Sequence, residues 1–334
     1  MHQASVPIFT SAGAWCFFVC LFVGYMRLAC DATMRRRTFL KSAGFHSAGA
    51  IAGASVARSA AAKLGACSDV VAAPHGAQTP ANEPARWRHS VCRWCYSAVP
   101  LDELIKHSKA IGISSIELLD EPEWSLVRAA GLECAVANGP TSITKGFNRT
   151  EHHDEIIAGS ERLLPRVAAA GIPQMIVFSG NRAGLSDADG LRHCTAGLKR
   201  MMPLAESAGV TIIMELLNSK VDHKDYQCDH TVWGAELVQR VGSDRFRLLY
   251  DIYHMQIMEG DVIRTIEQHH GAIAHYHTGG VPGRREIDGS QELHYPAIVR
   301  ALTATGFSGF LGQEFIPSRT PFESLAQAVQ ICTV

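Results

Sequence analysis

The 334-residue chain carries 31 Lys+Arg against 32 Asp+Glu, a formal net charge of −1, and 47% hydrophobic residues. That length holds one large domain or two small ones. The balanced charge offers no basic stripe, so nucleic acid is not expected as a partner.

Residues 1–33 read as a leader of open purpose. Their run 14–26 is apolar but falls short of the ~20 residues of a membrane span. Met34 to Lys41 then reads Met-Arg-Arg-Arg-Thr-Phe-Leu-Lys. This resembles the twin-arginine export signal, with Arg36 and Arg37 as the pair. An Ala- and Gly-rich run (42–57) and small residues at 59–62 follow in the order that such a signal requires. Residues 34–62 are therefore expected to be a twin-arginine signal peptide, with the export machinery as a partner and a periplasmic or exported destination. Without a working signal the chain stays cytoplasmic. Either Met34 is the true start or the leader is extended. Leu64-Gly65-Ala66-Cys67 loosely resembles a lipoprotein box, but Lys63 directly before it argues against one. Residues 63–87, rich in Ala, Pro and Gly without an apolar period, read as a linker.

Residues 88–334 show a second pattern. Short apolar runs at 90–96, 114–119, 133–138, 174–180, 210–218, 246–254, 273–278 and 310–315 alternate with amphipathic segments at 100–111, 155–170, 191–208, 231–241, 262–269 and 295–305. Gly112, Gly131, Gly171, Gly209 and Gly306 follow the helical patterns as C-terminal caps. Strand–helix alternation implies a parallel sheet. Eight repeats fit a (β/α)8 TIM barrel, whose usual length is about 250 residues. A doubly wound sheet lacks its GxGxxG after the first strand. Cys92 and Cys95 form a CxxC within the first run. No second pair or paired histidines follow at zinc spacing, so they read as buried strand thiols.

Four later runs end alike. Glu215 closes Thr-Ile-Ile-Met-Glu, Asp251 closes Leu-Leu-Tyr-Asp, His277 closes Ile-Ala-His-Tyr-His, and Glu314 closes Phe-Leu-Gly-Gln-Glu. Their separations of 36, 26 and 37 residues are each about one βα unit. Taken alone, Asp251 reads equally well as a cap on the following helix. Together, four consecutive strands aim three carboxylates and an imidazole at the rim where barrel active sites sit. Three converging carboxylates repel without a cation. This donor set suits one divalent ion, Mn²⁺, Mg²⁺ or Co²⁺, with Zn²⁺ as a further option. His275 shares the inward face with His277 by strand alternation and is expected as a packed histidine.

Four segments carry a family resemblance: Met214-Glu215-Leu216-Leu217-Asn218; Asp251-Ile252-Tyr253-His254-Met255-Gln256 with Glu259-Gly260; Pro282-Gly283-Arg284-Arg285-Glu286; and Gly312-Gln313-Glu314-Phe315. They resemble the hydroxypyruvate isomerase family, one of the xylose-isomerase-like sugar isomerase and epimerase barrels. The resemblance implies metal ligation by Glu215, Asp251, His277 and Glu314, with Glu215 and Glu314 doubling as acid and base. It places His254 and Arg284 on substrate oxygens, and Asn218 is expected beside them as a third substrate contact. Hydroxypyruvate isomerases usually carry glutamine at the position of His277, whereas ketose 3-epimerases carry histidine. The epimerase glutamate six residues after the first ligand is here Val221, flanked by Asp222 and His223.

The expected function is a metal-dependent isomerase or epimerase of a small hydroxy-carbonyl compound or sugar, working through an enediolate. A homo-oligomer is compatible with the chain. The alternatives are an exported sugar-binding barrel without activity and a metal-dependent lyase or dehydratase on the same scaffold. An endonuclease barrel would want a zinc cluster, and the early strands end in Trp94, Leu119 and Asn138. A Schiff-base aldolase needs a strand-end lysine, which no run supplies.

Overall fold

The computed structural model describes residues 87–334. The leader, the Arg36-Arg37 motif and residues 63–86 of the linker lie outside the described residues. Trp87, assigned above to the linker, packs with the barrel instead: it is buried, and its indole N–H donates to Thr303 Oγ1 at 3.1 Å.

Eight strands follow one another: β1 (Arg88–Cys92), β2 (Ser115–Glu117), β3 (Val136–Asn138), β4 (Gln174–Val177), β5 (Thr211–Leu216), β6 (Phe246–Asp251), β7 (Ile273–Thr278) and β8 (Phe310–Gln313). Helices α1 (Leu101–Ala110), α2 (Glu121–Ala129), α3 (His153–Ala169), α4 (Asp187–Ala208) and α5 (Thr231–Val241) separate the first six. The later ones are α6 (Ile252–Met258), α7 (Val262–His269), α8 (Tyr295–Ala304) and α9 (Pro321–Cys332). Every strand pairing is parallel, in the order β2-β1-β8-β7-β6-β5-β4-β3. Parallel bridges Ser115–Glu133 and Leu119–Ala137 bring the β2 and β3 edges together. Leu118 N–H also donates to Val136 O across that seam at 2.9 Å. The sheet thus closes into the expected (β/α)8 barrel.

The two-residue strand period sorts side chains inward and outward. Val136, Ile176, Ile213, Leu249 and Phe310 pack with one another inside the barrel. Met214, Leu248, Tyr250 and Tyr276 join the larger core between strands and helices. Two residues beyond the inward apolar groups come Glu215 and Asp251. The lumen is therefore apolar at its base and polar at the ends of the strands, where a ligand reaches it.

Several elements differ from their sequence pattern. The run 246–254 does not continue as strand past Asp251. Asp251 Oδ1 accepts from the N–H of Tyr253 at 2.8 Å and of His254 at 3.4 Å, an N-cap that starts α6. The first strand stops at Cys92, and residues Arg93–Tyr96 form a 3-10 turn. Cys92 is a buried strand thiol, but Cys95 lies half-buried on that turn, and both are free. The second run ends at Glu117, because Leu118 turns to φ +55°, a conformation a β-strand cannot hold. Helix α2 ends just before Gly131, one of the expected capping glycines, and buries only Trp124 and Val127. Its start is marked by Glu123 Oε2, which accepts from Asp120 N–H at 3.1 Å, half of a capping box.

Candidate metal and active site

The four strand-end residues converge. One donor atom each from Glu215, Asp251, His277 and Glu314 lie within 4.8 Å of one another, and all four residues are buried. Register brings them there: Asp251 pairs with His277 across β6 and β7, and Glu215 and Glu314 extend the flanking strands.

Asp251 serves two purposes at once. While Oδ1 caps α6, Oδ2 faces the cluster, 2.7 Å from Arg284 Nη2 and 3.5 Å from His254 Nε2. Glu314 Oε2 contacts Arg284 Nη2 and lies 2.7 Å from His277 Nδ1, and its Oε1 accepts from Trp94 Nε1–H at 2.7 Å. Glu215 Oε1 lies 3.6 Å from His277 Nδ1. Neither Glu215 Oε1 nor His277 Nδ1 has a hydrogen-bond partner of acceptable geometry. Buried polar atoms normally find one. Two orphaned donor atoms at the centre of three carboxylates fit a divalent cation, and the mixed oxygen and imidazole set matches Mn²⁺, Co²⁺, Mg²⁺ or Zn²⁺.

The electrostatics agree. Burial pushes the Asp251 carboxyl well above its usual range, against the pull of Arg284. Burial and the charge of Glu314 raise Glu215. Glu314 goes the other way: Arg284 and His277 outweigh its burial and hold it well below the carboxylate range. Burial disfavours the His277 imidazolium, but its anionic surroundings, among them Glu314 and Glu117, hold its proton affinity well above the ordinary imidazole value. Arg284 and the proton on His277 thus face three acids, and a divalent ion at this site would take that proton's place.

Arg284 reaches the cluster from the β7–α8 loop in a left-handed conformation, φ +54°, which costs of order 1–3 kcal/mol for a side-chain-bearing residue. The loop is fastened on both sides. Arg284 N–H donates to Gly280 O at 2.8 Å, and Ile316 N–H to Arg284 O at 2.7 Å. Buried Glu286 accepts from Ser318 Oγ at 2.7 Å and Ser324 Oγ at 2.9 Å.

His254 is fully buried, and burial, with Arg284 nearby, drives its pKa well below 6.5, which keeps it neutral. Asn218, like His254, is buried and absent from the cavity wall. Its Nδ2 lies 2.6 Å from His254 Nδ1 and donates to Asp222 Oδ2 at 2.7 Å. Its Oδ1 accepts from Asp222 N–H at 2.9 Å, which fixes the amide orientation. Asn218 therefore orients His254. Val221 points to solvent, 60% exposed, while Asp222 takes the Tyr253 hydroxyl at 2.8 Å.

A cavity of about 600 Å³ opens above the cluster. Glu215, Arg284 and Glu314 line its inner end, and Trp94, Asn138, Phe178 and His223 line its sides. Sequence reasoning named Trp94 only as a strand end and gave it no place in the site; it lies on the 3-10 turn after β1. Glu117 was passed over, a charge inside the apolar run Ser-Ile-Glu-Leu-Leu. Glu117 is fully buried. Its Oε1 lies 2.7 Å from His277 Nε2 and 2.9 Å from His275 Nε2, so His275 is the packed, hydrogen-bonded histidine expected of it.

Residues 106–331 match the xylose isomerase-like TIM barrel family. A Drosophila melanogaster protein provisionally named a hydroxypyruvate isomerase is 27% identical over 239 residues, 68% of this chain and 90% of that one. A 2-oxo-tetronate isomerase of Cupriavidus necator is 33% identical over 140 residues, 40% of this chain and 53% of its own length. An L-ribulose 3-epimerase of Mesorhizobium japonicum is 31% identical over 137 residues, 41% of this chain and 44% of its own. Among solved structures, a protein from Brucella melitensis described as a family 2 AP endonuclease superposes with a TM-score of 0.66 at 24% identity, over 73% of this chain and 97% of that one. A 3-keto-D-glucoside 4-epimerase of E. coli superposes with a TM-score of 0.61 at 20% identity, over 74% of this chain and all of its own. At those identities the structural matches speak to the fold.

Proposed function

The chain belongs to the xylose isomerase-like TIM barrel family, and we propose that it is a divalent-metal-dependent isomerase or epimerase of a ketose or related sugar. The observation that carries this is the convergence of Glu215, Asp251, His277 and Glu314 within 4.8 Å at the inner end of the cavity. Isomerases and an epimerase among the relatives support the reaction class.

A divalent ion held by these four residues supplies Lewis acidity toward a substrate carbonyl and its neighbouring hydroxyl. The chain's own groups move the proton. One of Glu215 and Glu314 takes the proton from the carbon next to the carbonyl, and the electron pair passes into an enediolate. The other carboxyl returns a proton to carbon. The two stand on β5 and on the end of β8, so they approach a bound substrate from different sides. Arg284, which lines the cavity, offers N–H groups to substrate oxygens, and the neutral His254 stands against it, its Nε2 3.1 Å from Arg284 Nη1.

The cavity lining favours a sugar: Asn138, Asp120 and Arg93 along the wall suit additional hydroxyl groups. Tested against four- to six-carbon ketoses and hydroxypyruvate, the metal-loaded protein should favour a ketose in kcat/KM by about tenfold or more, equivalent to ~1.4 kcal/mol. Efficient hydroxypyruvate turnover with no activity on any ketose or keto sugar acid would overturn the substrate assignment.

His277 Nδ1 holds either a proton or an ion, never both. Cation affinity should therefore fall as the pH drops through the raised imidazole range, with a proton released on binding. A glutamine amide takes up no proton, so His277→Gln should flatten that dependence. An unchanged pH profile in the variant would remove His277 from the ligand set.

A further inference from the structure

The inward end of β2 carries a carboxylate that the reaction above does not use. Glu117 is fully buried, an expensive placement unless its charge is met. It is met by imidazoles: Oε1 lies 2.7 Å from His277 Nε2 and 2.9 Å from His275 Nε2, with the Cys92 thiol at 3.6 Å.

We propose that Glu117 is a positioning residue for the metal centre, fixing His277 as the tautomer that carries its proton on Nε2 and turns the Nδ1 lone pair toward Glu215, Asp251 and Glu314. This rests on the metal-dependent reading of the site. A carboxylate has no proton to give, so Nε2 must donate to it, and a neutral imidazole then has only a lone pair at Nδ1. That lone pair faces Glu314 Oε2 at 2.7 Å and Glu215 Oε1 at 3.6 Å. Acceptors crowded at such distances need a proton or a metal cation among them, and at the pH where Nδ1 has lost its proton that place is open to a metal ion. A carboxylate behind a ligating histidine supplies that orientation and strengthens the imidazole as a donor.

The backbone is shaped for the pair. A Cβ on Gly312 of β8 would lie 2.8 Å from both Glu117 Oε1 and His277 Cδ2, closer than real side chains come. Any larger residue there would press Glu117 and His277 apart. Cys92, Glu117 and His277 could also hold an ion among themselves. That arrangement would require Nε2 to lose the proton that it gives to Glu117.

The first test reads the tautomer directly, by imidazole ¹⁵N spectra of the zinc-loaded wild type. His277 should be zinc-bound at Nδ1 and protonated at Nε2; coordination through Nε2 overturns the proposal. The second compares Mn²⁺ affinity in Glu117→Ala and Glu117→Gln. Alanine should weaken binding by about 10–100-fold, the usual cost of losing such a partner. Glutamine keeps an acceptor for Nε2–H and should recover part of the loss. If Glu117→Ala fails to fold, the zinc-loaded spectrum and the glutamine variant still decide. Wild-type affinity in both variants would overturn the proposal while leaving the four-residue site standing. Binding of a second ion that disappears in Cys92→Ser would also overturn it. A wild type that binds no divalent ion would instead remove the metal reading itself.

Discussion

Asp251→Asn should weaken divalent-cation binding by more than the ~10–100-fold that loss of an outer-shell partner typically costs, with little change in folding. The two oxygens of Asp251 explain why the effects separate. Oδ1 caps α6 through the Tyr253 and His254 N–H groups, and asparagine caps a helix about as well as aspartate. Oδ2 faces the cluster, where the amide replaces an anionic donor with an N–H₂ group. Metal titration of the variant beside wild type, with thermal unfolding as the control, reads both. Unchanged affinity would exclude Asp251 from the ligand set. Loss of the fold together with affinity would mean that the cap is the larger part of its work.

The second large effect concerns proton transfer. Glu215→Gln and Glu314→Gln, each assayed at saturating metal, should slow exchange of the proton next to the carbonyl by about 10²–10⁴-fold, the usual contribution of a positioned acid or base. The two glutamates are held differently. Trp94, Arg284 and His277 surround Glu314, whereas Glu215 Oε1 has no hydrogen-bond partner. Glu314→Gln should therefore also disturb Arg284 and raise KM, while Glu215→Gln should act mainly on kcat. Exchange within tenfold of wild type in either variant would free that residue from the acid–base pair.

Much of this site is legible in the sequence because a barrel imposes two simple rules. Strands alternate inward and outward, and each βα unit returns the chain to the same rim. Glu215, Asp251, His277 and Glu314 follow both, so their spacing alone places them together. Glu117 obeys the same rules but sits within a longer apolar run. The strand ends there through a left-handed turn at Leu118, which no glycine announces. Asn218 follows a strand end like the others, yet the chain beyond β5 turns its amide back against His254.

The account stands most directly on proton exchange in D₂O. The metal-loaded protein would be incubated with a panel of ketoses and hydroxypyruvate, and the recovered compounds analysed for deuterium at the carbon next to the carbonyl. The prediction is incorporation into at least one ketose, abolished by a chelator and restored by a divalent cation. Exchange that persists undiminished in chelator, or no exchange into any compound of the panel by a protein shown to bind its ion, would contradict it.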